Sequence, residues 1–460
     1  LLPWVGGSRW LVAADSRFSS KVNINRFRQA GYGFFVGYAV LFLAIMLSNK
    51  LTGNVSWPAL MSFLLIFSGA GVIAAWLSRD ASGHFGSLPQ APTIAPIKAL
   101  SAIVLLLMAI HLVFVAVEIF TQPLYPWDAW NAWIYRAKAW FLAGGITDFT
   151  SASDWATAAS SDVYTIDAWG YPLFASIIPY WAALSYGEWS ETLINLPVLF
   201  AGLALGMALY GQCREHGLGV PACLVACYLL YSIPLLGTHL ALAGYADMWM
   251  AGFTGLGFVA VMRGTLMRDE AGFTSMQMVL GILMIIFAIM VKNEGAVWFL
   301  AAIAWLIITT CRARVPILMV SGMIVVVLLG ITIGHTHIDI PFIGELGLIN
   351  GHLAVPFIGK FKLEVHSVGM VYWDNFINMG TWNLLWVAVA GSFLLAFTWP
   401  KTMSGSRTRK TVVSFILIFM ATQLFIFGFT NQGIWADTYT AINRLPLHFI
   451  PAVLFSVIVI

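Results

Sequence analysis

Residues 99–118 read ALSAIVLLLMAIHLVFVAVE, with one histidine inside, one acid at the far end and no other ionisable group. An α-helix rises 1.5 Å per residue, so roughly 17–25 apolar residues cross a hydrocarbon core of about 30 Å. Working outward, comparable runs lie near 31–48, 56–77, 191–211, 220–237, 248–263, 275–291, 296–311, 315–334, 383–400, 411–428 and 445–460, about twelve in all. Composition points the same way: of 460 residues 60% are apolar and 9% charged, where a soluble domain carries roughly 25% charged residues. The sequence predicts an all-α polytopic membrane protein with about 12 transmembrane helices. It excludes a single soluble domain on one anchor.

Charge placement orients the chain. With a cytoplasmic N-terminus, 16 of the 23 basic residues fall inside, among them Arg9, Arg26, Arg28, Arg214, Arg263 and the Lys401 to Lys410 cluster, as the positive-inside bias demands. Of the 20 acids, 15 fall on the outer face or at span ends beside it. A further apolar run, 170–186, opens with Tyr171-Pro172 and contains Pro179; counted as a span it would place the Lys401 to Lys410 cluster outside. It is expected to lie in, or dip into, the interface. Cys213, Cys223, Cys227 and Cys311 sit near cytoplasmic span ends, where thiols stay reduced, so no disulfide is expected. The formal charge of +3, distributed in this way, gives no reason to expect a nucleic-acid partner. Residue 1 is not Met and Ile460 ends within an apolar run, so a longer product is expected.

Two long loops, about 119–190 and 335–382, fall outside in this topology, and long ordered loops commonly carry function. The first contains Leu124-Tyr-Pro-Trp-Asp-Ala-Trp-Asn-Ala-Trp-Ile-Tyr-Arg-Ala-Lys-Ala-Trp-Phe141. Pro126 followed by good helix formers predicts a helix start, with Trp130, Trp133, Ala137 and Trp140 on one stripe and Asp128, Asn131, Tyr135 and Lys138 on another. Such a helix lies flat on a bilayer with its Trp rings at headgroup level. Asp128 either complements the helix N-terminal dipole or serves as a general base where water is partly excluded.

Three span junctions on the same face carry further charge: Gly244-Tyr-Ala-Asp-Met-Trp249, Val291-Lys-Asn-Glu-Gly-Ala296 and the stretch from Trp435 to His448 that holds Arg444. Any one charge at a span end can be a solvated cap. Gathered together, Asp128, Asp247, Lys292, Glu294 and Arg444 would offer both a base and cations to hold a phosphate.

The order of these features (an acid on a Trp-rich interfacial helix, Tyr171-Pro172, Tyr245-Ala-Asp247, Lys292-Asn-Glu-Gly295, Asn443-Arg-Leu445, His448-Phe-Ile-Pro451) resembles bacterial integral-membrane glycosyltransferases of the GT-C superfamily. Protein O-mannosyltransferases and the lipid A aminoarabinose transferases belong to that superfamily. The resemblance covers roughly 99–460; it implies a transmembrane catalytic core there, and residues 1–98 read as a cytoplasmic segment with two added spans. It also implies an enzyme of the bacterial inner membrane that passes a sugar from a polyprenyl-phosphate donor to a lipid, glycan or protein acceptor on the outer face. The family's acid in the first large outer loop carries over to Asp128 as base or metal ligand; this sequence has one Asp there, followed by Ala129 and Trp130, where the common pattern pairs two acids.

In that reading Asp128, or Asp247 as second choice, deprotonates the acceptor hydroxyl. Lys292, Arg444, Arg136 or Lys138 stabilise the phosphate leaving group, Glu294, Asn131 and Tyr171 line the site, and the anomeric carbon is expected to invert. The second loop contains His335, His337 and Asp339, which on an extended strand share one face and could hold a divalent metal. His111, within a span, is expected to be a hydrogen-bonded core residue. Direct use of a nucleotide sugar is not expected. The rival readings are a secondary transporter, which would place ionisable groups at mid-bilayer, and a non-catalytic subunit of a membrane complex.

Overall fold

The computed structural model describes residues 1–18, 25–78, 95–158, 163–267, 271–310, 335–340, 344–349, 351–355, 359–398 and 406–460. These are mainly α-helical. The chain opens with α1 (Leu2–Phe18), α2 (Arg26–Thr52), α3 (Trp57–Leu77) and α4 (Ala95–Thr121). The short α5 (Ile134–Ala143) and α6 (Phe174–Tyr186) precede α7 (Leu196–Glu215), and α8 (Val220–Tyr231) is followed by α9 (Pro234–Ala241). A helical run over 247–266, ending in α10 (Leu256–Leu266), leads to α11 (Ala271–Phe287) and α12 (Glu294–Thr310). The last helices are α13 (Leu385–Thr398), α14 (Ser406–Phe429) and α15 (Ile450–Val459). Between α12 and α13 lies an antiparallel sheet in the order β1 (His335–Ile340), β2 (Gly344–Ile349), β3 (His352–Val355), β4 (Gly359–Lys362).

Among the described residues five helices are long and apolar enough to cross a membrane: Arg26–Thr52, Trp57–Leu77, Ala95–Thr121, Leu193–Glu215 and Arg407–Phe429. A sixth is added if 220–241 counts as one span, although it bends by 66° where Pro234 follows a break. The expectation of about twelve is therefore corrected to five or six. Apolar composition does not guarantee an unbroken helix. The run at 248–263 contains a π turn at Ala251–Gly255, that at 445–460 opens as a 3₁₀ turn with Pro446 inside it, and α13 has 14 residues, only about 21 Å of rise. The run at 315–334 lies outside the described residues.

The long helices still belong in a membrane. Leu100, Ile103, Leu106, Val113, Phe114 and Val117 of α4 are all exposed, an apolar surface that water would not tolerate but lipid would. Helices approach closely where both sides are small: a methyl on Gly37 would meet the Pro3 carbonyl oxygen at 1.8 Å, and one on Gly7 would meet that of Gly33 at 2.0 Å. The core beyond is aromatic. Phe174 of α6 makes edge contacts with Trp249, Phe253 and Phe287 at 5.2–5.4 Å, and Phe34 of α2 stacks on Trp249 at 5.7 Å. Helix α6, expected in or dipping into the interface, packs within the protein. Its residues 174–183 are buried in the protein, beneath α5 and against α7.

Buried charge occurs at two levels. Near the end of α7, Arg28 lies between Asp15 (2.5 Å) and Glu215 (2.8 Å), while Arg263 bonds His216 Nδ1 (2.8 Å) and the Glu215 carbonyl (2.9 Å). The other level is set by Asp247, sixteen residues before Arg263 on one helical run and hence about 24 Å away along it. The side chains between, Met248 to Met262, are apolar apart from Thr254. Cys213, Cys223 and Cys227 are buried free thiols, and Cys311 lies outside the described residues.

Candidate functional site

Asp247 opens its helix after a tight junction, and that junction is built for close approach. Ala243 has φ of 32°, a left-handed conformation that costs a non-glycine residue about 1–3 kcal/mol. Gly244 then passes so close to the Asp128 turn that a methyl added to it would lie 2.5 Å from the Ala129 side chain. This contact sets the spacing between Asp128 and Asp247. Opposite them, Arg444 follows a second left-handed residue, Tyr439 (φ 53°). Two bonds pin its loop: the Tyr439 hydroxyl donates to Asp374 (3.1 Å), and the Asn375 amide donates to the Ile442 carbonyl (3.2 Å).

At the centre is Asp247, wholly buried and held from three sides. Arg444 donates to its Oδ2 through Nη2 (2.7 Å) and Nε (3.3 Å). Lys292 Nζ lies 3.2 Å from Oδ1, and His448 Nε2 lies 2.9 Å from the same oxygen. His239 Nδ1 stands 3.7 Å from Oδ2. The Trp298 indole N–H donates to His448 Nδ1 (3.0 Å), which leaves Nε2 carrying the proton that His448 donates to Asp247. Burial alone would raise the Asp247 carboxyl, but Arg444 and then Lys292 outweigh it and hold it well below the usual carboxylate range.

Two carboxylates complete the network. Glu294 Oε1 accepts from Lys292 at 3.1 Å. Asp128 Oδ2 accepts from Arg444 Nη2 at 2.5 Å and its Oδ1 from Nη1 at 3.4 Å. The Arg444 guanidinium also lies over the Tyr245 ring, 4.7 Å from its centroid. Three carboxylates therefore face two cations and a neutral imidazole, leaving one negative charge in excess. The network reaches solvent at Glu294, whose side chain is 23% exposed, and at an edge where those of Asp128 and Arg444 are 21% and 20% exposed, against 0% for Asp247. Around that edge Tyr125, Trp127 and Trp130 are exposed.

Asp128, Asp247, Lys292, Glu294 and Arg444 are thus brought into one hydrogen-bonded cluster, and Tyr171 lies at its margin. The negative charge of Glu294, together with burial, pushes the Tyr171 hydroxyl up to about 12. Arg136 and Lys138, expected beside a phosphate, are placed elsewhere. Arg136 is buried and donates to the carbonyls of Ala168, Trp169 and Tyr171 at 2.9–3.1 Å, so it clamps the loop ahead of α6, and burial draws its guanidinium down to about 10. Lys138 pairs with Glu191 at 3.2 Å on a half-exposed surface. Asn131 falls within a π turn, Ala129–Trp133. That wider turn breaks the 3.6-residue register, so Trp133, Ala137 and Trp140 are buried while Trp130 leaves their stripe and is exposed.

His335, His337 and Asp339 do fall on an extended strand, β1, paired with Ile349, Gly347 and Glu345, but their side chains lie outside the described residues. Among the described residues no group of three or more His, Cys, Asp or Glu is arranged to hold a metal ion. Against the expectation of a hydrogen-bonded core residue, the buried Nε2 of His111 has no hydrogen-bond partner among the described residues. His448 also joins the cluster, four residues after Arg444, the spacing of one helical face. His239 stands beside it, and its position relative to Asp247 crosses an irregular junction and follows no period that the sequence displays.

No protein-family model, no curated protein and no solved structure matches this chain.

Proposed function

We propose that the protein is a membrane glycosyltransferase that moves a sugar from a lipid-phosphate donor to an acceptor at the membrane surface. The observation that carries this reading is the open edge of the charged cluster where a carboxylate and an arginine meet beside exposed aromatic rings. Arg444 is the phosphate ligand: its fork can hold two oxygens of a leaving phosphate and stabilise the charge that builds as the anomeric bond breaks. Asp128 is the base that takes the acceptor's hydroxyl proton, giving inversion by one displacement. Asp247, saturated by two cations and a histidine, is no base; it anchors Arg444 and Lys292. The rings of Trp127 and Trp130 suit a sugar face.

An open groove of about 680 Å³, lined among others by Tyr372, Trp373, Phe376, Trp386, Phe393 and Met420, would take the donor's hydrocarbon chain. Its wall includes the segment 369–377, next to the Asp374 and Asn375 contacts that pin the Arg444 loop. The two levels of buried charge, about 24 Å apart along one helical run, support a polar interface at each end of it. With the outer-face bias of the acids, this reading puts the site at the outer interface of a bacterial inner membrane.

The test is transfer from a radiolabelled polyprenyl-phosphate sugar by purified protein in liposomes. Asp128→Asn is expected to lower the rate by about 10²–10⁴-fold. A rate within a fewfold of wild type, or no transfer by the wild type from any such donor, refutes the reading. The bend within 220–241 is the one feature that favours a transporter, since broken helices line transport sites. Solute uptake into the same liposomes without transfer would select that alternative.

A further inference from the structure

We infer that Asp128 is an exchangeable stopper on an anion site at Arg444, and that binding of a phosphate group there displaces Asp128 and so sets the base free. The inference rests on the function proposed above and assigns an order to it: donor phosphate first, acceptor second. Its basis is how the guanidinium is divided. One edge, Nε and Nη2, is fixed on the buried Asp247 at 3.3 and 2.7 Å. The terminal pair, Nη1 and Nη2, faces Asp128 at 3.4 and 2.5 Å, the two-point geometry a phosphate would adopt in its place.

Of the three carboxylates, Asp128 is the one whose departure frees the fork of Arg444. Asp247 has three hydrogen-bond partners and no exposure, and Glu294, though 23% exposed, is bound to the buried Lys292 and not to the fork. Among the described residues Asp128 bonds through its side chain to Arg444 alone; it is part exposed and sits in the first turn of its helix, where a change of side-chain rotamer moves it without disturbing the fold. The cluster already carries one negative charge in excess. An incoming phosphate is repelled until a carboxylate withdraws, which couples the two events.

The experiment measures binding, not catalysis. Wild-type protein, Asp128→Asn, Asp128→Ala, Arg444→Lys and Arg444→Gln, each in neutral detergent, are titrated with dodecyl phosphate and with inorganic phosphate. Removing the stopper is expected to tighten binding by about tenfold in both Asp128 variants, because a like charge next to the anion has gone. Arg444→Lys loses the fork and Arg444→Gln the charge as well, so both weaken binding. Tightening for dodecyl phosphate alone identifies a lipid headgroup as the ligand; equal tightening for both identifies free phosphate. Unchanged or weaker binding of both probes by both Asp128 variants overturns the inference. Tightened binding in a protein that transfers no sugar would overturn the proposed function and leave the stopper standing.

Discussion

Replacing Lys292 by Met tests whether the cluster is held together electrostatically. Met keeps most of the side-chain volume and removes the charge with its N–H donors to Asp247 and Glu294. In the native arrangement Lys292 Nζ lies 3.2 Å from Asp247, and both side chains are almost wholly buried (7% and 0% exposed). At an effective dielectric constant of about 20, Coulomb's law gives that pair about 5 kcal/mol. Part of this offsets the desolvation of Lys292 itself, and removing one partner of a buried pair characteristically costs about 3–5 kcal/mol. The loss is expected in that range, measured as unfolding free energy by SDS titration in mixed micelles. Asp247→Asn in the same background should recover much of it, because the uncompensated charge is then gone; the two changes should be non-additive by at least about 1.5 kcal/mol. The pH dependence has a definite sign. Asp247 is held below its ordinary value, so its contribution is present above the unfolded pKa and lost as pH falls through the folded one. Without Lys292 the folded value rises, so the gap between variant and wild type narrows on acidification. A single-variant loss under about 0.5 kcal/mol, or strict additivity with Asp247→Asn, would refute the reasoning.

Gly244→Ala should be disproportionately harmful for one methyl group: its Cβ would lie 2.5 Å from the Ala129 side chain, and the strain should cost about 1–3 kcal/mol in the same assay while moving Asp128 off Arg444 and lowering transfer. Arg28→Met removes the cation between Asp15 and Glu215 and should cost about 3–5 kcal/mol, yet leave phosphate binding by the folded protein unaltered because Arg28 belongs to the other charge level. Labelling should separate the levels. In sealed vesicles an impermeant maleimide should reach cysteine at Trp127 from one side and cysteine at Gly219 from the other, and labelling of both from one side would contradict a membrane between them.

The candidate cluster was more legible in the sequence than the span count. In a chain this poor in charge, an acid or base placed beside an apolar run must be satisfied by something. Asp128, Asp247, Lys292, Glu294 and Arg444 could be picked from four short segments on that ground alone. Their partners could not. Arg136 looked like a ligand for phosphate because it shares a helix with Asp128, but the loop at 168–171 supplies three carbonyls that consume it. Lys138 met the same fate at Glu191. Helix boundaries were illegible for a different reason: the π turns at 129–133 and 251–255 carry no Pro to announce them, and they change both length and facing. The burial of α6 follows from contacts with α5 and α7, which its own thirteen residues do not encode.

The two charge levels provide an internal comparison that bears on whether the Asp247 cluster serves chemistry or only holds helices together. At the Arg28 level Arg28 is held by two carboxylates, Asp15 and Glu215, and Arg263 donates to the Glu215 main-chain carbonyl; all four residues are buried, none more than 8% exposed. That is what a fastening requires, since an opening to water weakens the pairing. The Asp247 level departs from this. Its Asp128, Arg444 and Glu294 side chains are 20–23% exposed, and Asp128 meets Arg444 where both reach the surface. Two non-glycine residues in left-handed backbone, Ala243 and Tyr439, lead into it. A fastening would gain nothing from these costs, whereas a site that must accept an anion and release a base needs all three: a cation anchored from behind, a carboxylate free to move, and a junction stiff enough to hold the two at hydrogen-bonding distance.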